Sequence, residues 1–339
     1  MGKIPVQRHP LSGLVMKAVD EGTDLPPVGD VTVPDLVAED WRRDHLGGSQ
    51  IGKECWREIW YGFRWALRPA LEGRILRLFD HGHWEEARAA RDINRVPGVE
   101  LTTRDEDGGQ FQMDAPGHLG GSLDGKLLGY PGAPKTLHLW DHKTANEKQF
   151  KAFMTKGLKL WKPVYWAQGQ VYMHWSKIKR AVFTVENKND DSWGEDRFAY
   201  ERDSAQRLER KGLEISLADR PPPKAQEDPA KWGPCKWCDF KPICHEGKIE
   251  KLERSCRTCT YVTAKEDGTW ECGYTSHPAL SIPQPLTPAM QREGCIFHHF
   301  NPHLIPGELT EFNEASHEAV YTLHDGRRLV DSHCSMEVR

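Results

Sequence analysis

The stretch LWDHKT at 139–144 places an acid and a lysine one residue apart at the end of an apolar run. Read as a half-buried strand, Leu137, Leu139, Asp141 and Lys143 share one face, with His138, Trp140 and His142 on the other. A carboxylate and an ammonium on a leucine face are costly to desolvate unless they pair or bind a metal. Alone, such a pair is most often a strand-end ion pair facing solvent, so its company matters. Asp124 stands in GGSLDG on the preceding strand candidate, between glycines that permit close backbone approach. Upstream, DHGHWEEA offers Glu86, its neighbour Glu85, and the histidines His81 and His83 on a helical run. Two or three carboxylates suit Mg2+ or Mn2+, which prefer oxygen ligands and keep open water positions. A lysine beside them would orient or deprotonate a water, or stabilise charge on a phosphorane. That is chemistry for hydrolysing phosphodiesters.

The elements that must position these groups follow from periodicity and turn residues. Residues 1–45, rich in Pro, Gly and Asp, read as an extended N-terminal arm with little core. From Ser49 the apolar residues recur at helical spacing, as two helices broken near Pro69. Residues 96–115 read as polar strand and turn, and GHLGGSLDGKLLGYPG and KTLHLWDHKT as two strands joined by a Gly/Pro turn. Glu147 to about Lys177 is expected to be helical with a break near Pro163. It carries Gln168 and Tyr172 four residues apart, on one helix face. KRAVFTVENKND is a third strand, followed by a charged helix over roughly 203–217. A proline-rich loop then leads to a boundary near residue 250. Three parts are expected: the arm, a domain over 46–250, and a cysteine-rich domain over 251–339.

The chain has 339 residues, a net charge of −4, 38% hydrophobic and 28% charged residues, which suits a soluble globular protein. No apolar run approaches the ~20 residues that span a bilayer, and the N-terminus lacks a signal-peptide core, so no membrane role and a cytoplasmic location are the expectation. Over 143–162 the charge is local and basic: Lys143, Lys148, Lys151, Lys156, Lys159 and Lys162 face a single acid, Glu147. Such a stripe tracks phosphates or is a solvated helix face.

Nine cysteines in a chain with no sign of secretion argue for metal sites over disulfides. Cys235, Cys238 and Cys244 form C-x2-C-x5-C, with Cys55 far upstream. Cys256, Cys259, Cys272 and Cys295 read as a zinc ribbon, with His298 and His299 competing for the last position. Cys334 is left as a spare thiol, and residues 300–339 carry no legible chemistry.

Together, GHWEE, GGSLDG, LWDHKTANEKQF, QGQVY and VENKNDD resemble the PD-(D/E)XK nuclease superfamily, in its RecB-like and phage recombination exonuclease branch, over about residues 49–200. The resemblance implies an α/β restriction-endonuclease-like core, a short mixed sheet flanked by helices, with a small zinc-binding C-terminal domain. It implies metal ligation by Glu86, Asp124 and Asp141, with His83 or His81 as a further ligand, and catalysis by Lys143. Gln168 and Tyr172 would contact DNA, helped by Lys148 and Lys151. RecB-like nucleases of related types hold a [4Fe–4S] cluster with one upstream cysteine and a downstream C-x2-C-x(n)-C. By resemblance that set is Cys55, Cys235, Cys238 and Cys244; a zinc site of the latter three, completed by His245, competes with it. The expected protein is a metal-dependent exonuclease acting on DNA ends, with a single-strand annealing or binding protein as a candidate partner. A single-strand endonuclease and a non-catalytic DNA-binding assembly factor compete with that reading.

Overall fold

A computed structural model describes residues 10–21, 41–69, 73–274, 284–313, 316–332 and 336–338. At its centre is a five-stranded mixed sheet in spatial order β1–β2–β3–β4–β5: β1 (Glu100–Thr102), β2 (Gly125–Leu128), β3 (His138–Ala145), β4 (Arg180–Asn187) and β5 (Trp193–Ala199). The β3/β4 pair is parallel and the other pairs are antiparallel. A parallel pair needs a crossover, and helices at Glu147–Lys156, Leu158–Trp161 and Pro163–Ser176 supply it. The break at Pro163 falls where expected: proline opens the last of these helices, at a position where its missing N–H leaves no bond unmade.

The β3 strand is not half-buried. His138, Trp140 and His142 are as enclosed as Leu139 and Asp141, because helices cover both faces. The helix at Pro163–Ser176 covers the Asp141 face. Two helices cover the Trp140 face: the long helix α2 (Gly73–Ile93), which buries only Ala89, Ala90 and Ile93 near its C-terminal end, and one within the segment expected to be an extended arm. Helix α1 (Pro10–Asp20) places Leu11, Val15 and Ala18 at i, i+4 and i+7 against Ala89, Ile93, Trp140 and Val182. Flanking prolines and glycines hide this periodicity in the sequence. A buried carboxylate anchors α1: Glu195 accepts from Ser12 N (3.1 Å) and Ser12 Oγ (3.0 Å), and from Tyr130 Oη (3.0 Å).

Glu195 belongs to β5, a strand the sequence reading misses. Its text, WGEDRFA, is polar because its side chains fasten neighbours: Asp196 accepts from Leu158 N, and Arg197 donates to His138 Nε2. Helix α3 (Pro163–Ser176) and the charged helix α4 (Arg202–Leu217) pack together beside the sheet.

Beyond residue 250 come a hairpin of Val262–Ala264 with Trp270–Cys272 and a four-stranded antiparallel meander of Gly307–Asn313, Glu318–Leu323, Arg328–Ser332 and Met336–Val338. One hydrophobic cluster runs through both halves, joining Phe63 and Phe183 to Trp270 and Leu329. Arg257, 1% exposed, crosses the seam: it donates to the carbonyls of Phe63, Arg43 and Asp44 and stacks 3.8 Å over Trp65. Among the described residues no helix is long and apolar enough to cross a membrane.

Candidate active site

Sheet register assembles the acids. The pairing Gly125↔Trp140 and Lys126↔Leu139, run one step further, sets Asp124 across from Asp141. The glycines around Asp124 are required by what approaches them. A Cβ on Gly121 would lie 2.9 Å from Tyr172 Oη, and one on Gly125 2.8 Å from Leu101 and 3.0 Å from Trp140. In β3, Asp141 is 1% exposed and Lys143 Nζ lies 2.6 Å from its Oδ1. Oδ1 is thus buried and held by the Lys143 ammonium. Gln168 of α3 donates to the other oxygen, Oδ2, at 3.3 Å.

Electrostatics tie Glu86 to this pair. Burial and then the charge of Asp141 push its carboxyl up to about 7, against the pull of Lys143 and Arg104. Burial, then Glu86, raises Asp124 to about 7, and burial also holds Asp141 near 7 despite Lys143. Burial pulls the pKa of Lys143 down, but Asp141 and Asp124 outweigh it and raise it, so it stays an ammonium. Three acids that resist ionisation together are a site short of positive charge.

Glu85, one residue away, turns elsewhere. It pairs with Arg88 (2.7 Å), which also binds Glu186 on the opposite face of the sheet. That face holds a separate polar network: His142 Nδ1 lies 2.9 Å from Thr184 Oγ1, and Trp193 donates to Glu186. His142 is kept neutral there, its pKa lowered to about 3 by burial, then by Lys143 and Arg88. Of the two upstream histidines, His81 lies 3.7 Å from Glu85, and His83 is exposed one helical turn before Glu86 on the same face.

Gln168 and Tyr172 do meet at this site, but buried (7% and 6% exposed) rather than on an open surface. Tyr172 is pushed up to about 12 by burial, then by Asp124 and Asp141. Lys148 and Lys151 are exposed on the crossover helix, with Lys151 paired to Glu147. Two neighbours escape the sequence reading. Tyr165 lies under Lys143, ring centre 5.2 Å from Nζ, and Arg104 is felt by both Glu86 and Asp124. Tyr165 stands three residues before Gln168 on its helix face, a spacing that could have flagged it; nothing local flags Arg104.

Both sets of four cysteines are gathered. Cys55, Cys235, Cys238 and Cys244 line one pocket with Arg57 and His245. Cys55 also caps its helix, Trp56–Phe63, accepting from Glu58 N at 3.4 Å. Burial raises all three downstream thiols, Cys238 to about 12. In the C-terminal part, Cys256 is raised to about 12 by burial, then by Cys259, Cys295 and Cys272. The competing histidines are engaged: His298 with Thr258 Oγ1 at 3.1 Å, His299 with Asp331 at 3.3 Å. Among the described residues, no three His, Cys, Asp or Glu side chains stand in the arrangement of a metal-ion site. Cys334 lies outside the described residues.

No protein-family model and no curated protein matches the chain. Similar solved structures include the alkaline exonuclease LHK-Exo from Laribacter hongkongensis, 16% identical at a TM-score of 0.38 over 52% of this chain and 89% of that one. LHK-Exo in complex with dAMP gives 16% and 0.39 over 51% and 87% of the two chains. A protein designated SSO0001 gives 13% and 0.40 over 68% and 94%. Likenesses this distant carry no functional argument, which must come from the site itself.

Proposed function

We propose that the chain is a divalent-metal-dependent deoxyribonuclease that hydrolyses phosphodiester bonds at DNA ends. The observation that carries this reading is the convergence of Glu86, Asp124, Asp141 and Lys143, with three carboxyls each pushed up to about 7. The three carboxyls supply oxygen donors, the ligand type that a hard cation takes. Glu86, Asp124 and Asp141 would hold Mg2+ or Mn2+, with His83 as a further candidate; once bound, the ion supplies Lewis acidity and a nucleophilic hydroxide at neutral pH.

The chain's own groups divide the remaining tasks. Lys143, kept charged by its acid neighbours, donates to phosphoryl oxygens and stabilises the charge that develops on them, so it acts as an electrostatic stabiliser and not as the base. Gln168 fixes the Asp141 carboxylate through Oδ2, leaving the opposite oxygen toward Lys143. Tyr165 lies against the Lys143 ammonium and holds it over the site. Tyr172 fills the space left by Gly48 and Gly121 and presents its hydroxyl beside Asp124. Lys148 and Lys151 offer exposed charge for the DNA backbone.

The cysteine sets complete the proposal. Cys55, Cys235, Cys238 and Cys244 would hold a [4Fe–4S] cluster or zinc, joining the helix at Trp56–Phe63 to the segment that closes the domain. Cys256, Cys259, Cys272 and Cys295 would hold Zn2+, with the engagement of His298 and His299 favouring Cys295 as the fourth ligand. With the family resemblance, the reading extends to an end-directed, recombination-type enzyme, with the cytoplasm as its location and a strand-annealing or strand-binding protein as its partner. Digestion of end-labelled linear duplex and closed circles in Mg2+ or Mn2+ tests the reading. Loss from linear ends only is expected; cutting of circles would make it an endonuclease.

A further inference from the structure

Besides Lys143, Arg104 acts on two of the acids, Glu86 and Asp124, and the end of a strand brings it there. Strand β1 pairs with β2 as Glu100↔Leu128, Leu101↔Leu127 and Thr102↔Lys126. The pairing ends there, and Arg104 stands in the bend just beyond, at the end of the sheet where Asp124 lies across from Asp141. There the chain leaves the sheet in a tight turn closed by Asp105, which accepts from Gly109 N at 2.7 Å. It returns at Phe111, which pairs with Leu123. The excursion therefore starts and ends on either side of Asp124, and Arg104 stands at its root.

The side chain is exposed, yet it makes no ion pair or hydrogen bond among the described residues. An arginine facing three carboxylates would ordinarily collapse onto one of them. Here Lys143 already occupies Asp141, and the guanidinium stays free at the rim, with its charge felt by Glu86 and Asp124. A guanidinium offers five donors in a flat fork that matches two oxygens of one phosphate. At the edge of an acidic site, it also offsets the repulsion that three carboxylates exert on an incoming polyanion.

Resting on the nuclease reading for its substrate class, we propose that Arg104 is a substrate-positioning residue that binds a DNA phosphate next to the one that is cut. That phosphate is either an internal diester or the terminal monoester of a DNA end; the guanidinium chemistry is the same for both.

The test is equilibrium binding, by fluorescence anisotropy in EDTA, of short duplexes carrying 5′-phosphate or 5′-hydroxyl ends, across a salt series. Wild type, Arg104→Ala and Arg104→Lys are compared. Arg104→Ala should bind about tenfold more weakly, as expected for one charge-assisted contact, and its salt slope should fall by about one counterion. Arg104→Lys should restore the slope and only part of the affinity. Equal weakening on both duplexes assigns an internal diester; weakening confined to the phosphorylated ends assigns the terminal group. Unchanged affinity and slope in Arg104→Ala, or no binding of either duplex by the wild type, overturns the proposal. A wild type that binds through Arg104 but never cuts leaves this contact standing and removes the nuclease reading, so the two fail separately.

Discussion

At the residue scale the account rests on carboxyls that share too little positive charge, and this fixes a pH dependence. Asp124 lies at about 7 in the folded chain against an ordinary 3.8. Between those values the folded state holds a proton that the unfolded chain has released. Metal-free stability from this group is therefore full below about 4 and is lost as pH rises through 7. Asp124→Asn removes that loss. In EDTA, its melting temperature relative to wild type should climb from pH 5 to pH 8, by on the order of 5 °C; a difference that stays flat with pH contradicts the assignment. The acid and lysine of LWDHKT were legible because few contexts tolerate both on an apolar face, and Asp124 was legible from its glycines. Glu86 was separable from Glu85 only once the helix was docked, since the two acids differ in which face of the sheet they reach. Arg104 was illegible because it comes near Asp124 only in the folded chain, some twenty residues away in sequence.

At the scale of elements, the strands that bear chemistry read clearly and those that serve as fasteners do not. Strand β4 announces itself by RAVFTV, but β5 reads as WGEDRFA because Glu195, Asp196 and Arg197 bind other elements. Helix α1 hid for the complementary reason: three apolar residues at helical spacing are a weak signal inside proline- and glycine-rich text. Its packing is nonetheless tight, with Leu11 at 0% exposure. Leu11→Ala should cost about 2–5 kcal/mol by cavity formation, measured by urea denaturation. Because α1 covers the Trp140 face and not the Asp141 face, folded Leu11→Ala should retain its DNA affinity. A destabilisation under about 1 kcal/mol would mean that α1 is not docked as described.

For the whole molecule, the cysteine-rich part is continuous with the core that carries the acids. Trp270 packs on Phe63, whose centroid lies 5.3 Å away, and Arg257 reaches across to the carbonyls of Phe63 and Asp44. Sequence composition marked the change near residue 250 but could not show that one hydrophobic cluster crosses it, because tertiary packing leaves no trace in local text. Spacing, by contrast, marked Cys235, Cys238 and Cys244 and the pair Cys256 and Cys259, while Cys55 joined its set only by family resemblance. Cys256→Ser should lower zinc content by one equivalent per chain and also lower the melting temperature of the single unfolding transition, since loosening the hairpin loosens Trp270. Metal analysis with calorimetry checks both; loss of zinc with an unchanged transition would make the C-terminal part an independent unit.

The central claim is that the cluster around Lys143 cuts DNA. The decisive measurement is single-turnover cleavage of a labelled linear duplex in Mn2+ by wild type and Lys143→Ala, with binding followed in the same samples. The account predicts cleavage by the wild type and a rate ~10^2–10^4-fold lower in the variant, with DNA still bound. Equal rates in the two proteins would contradict it.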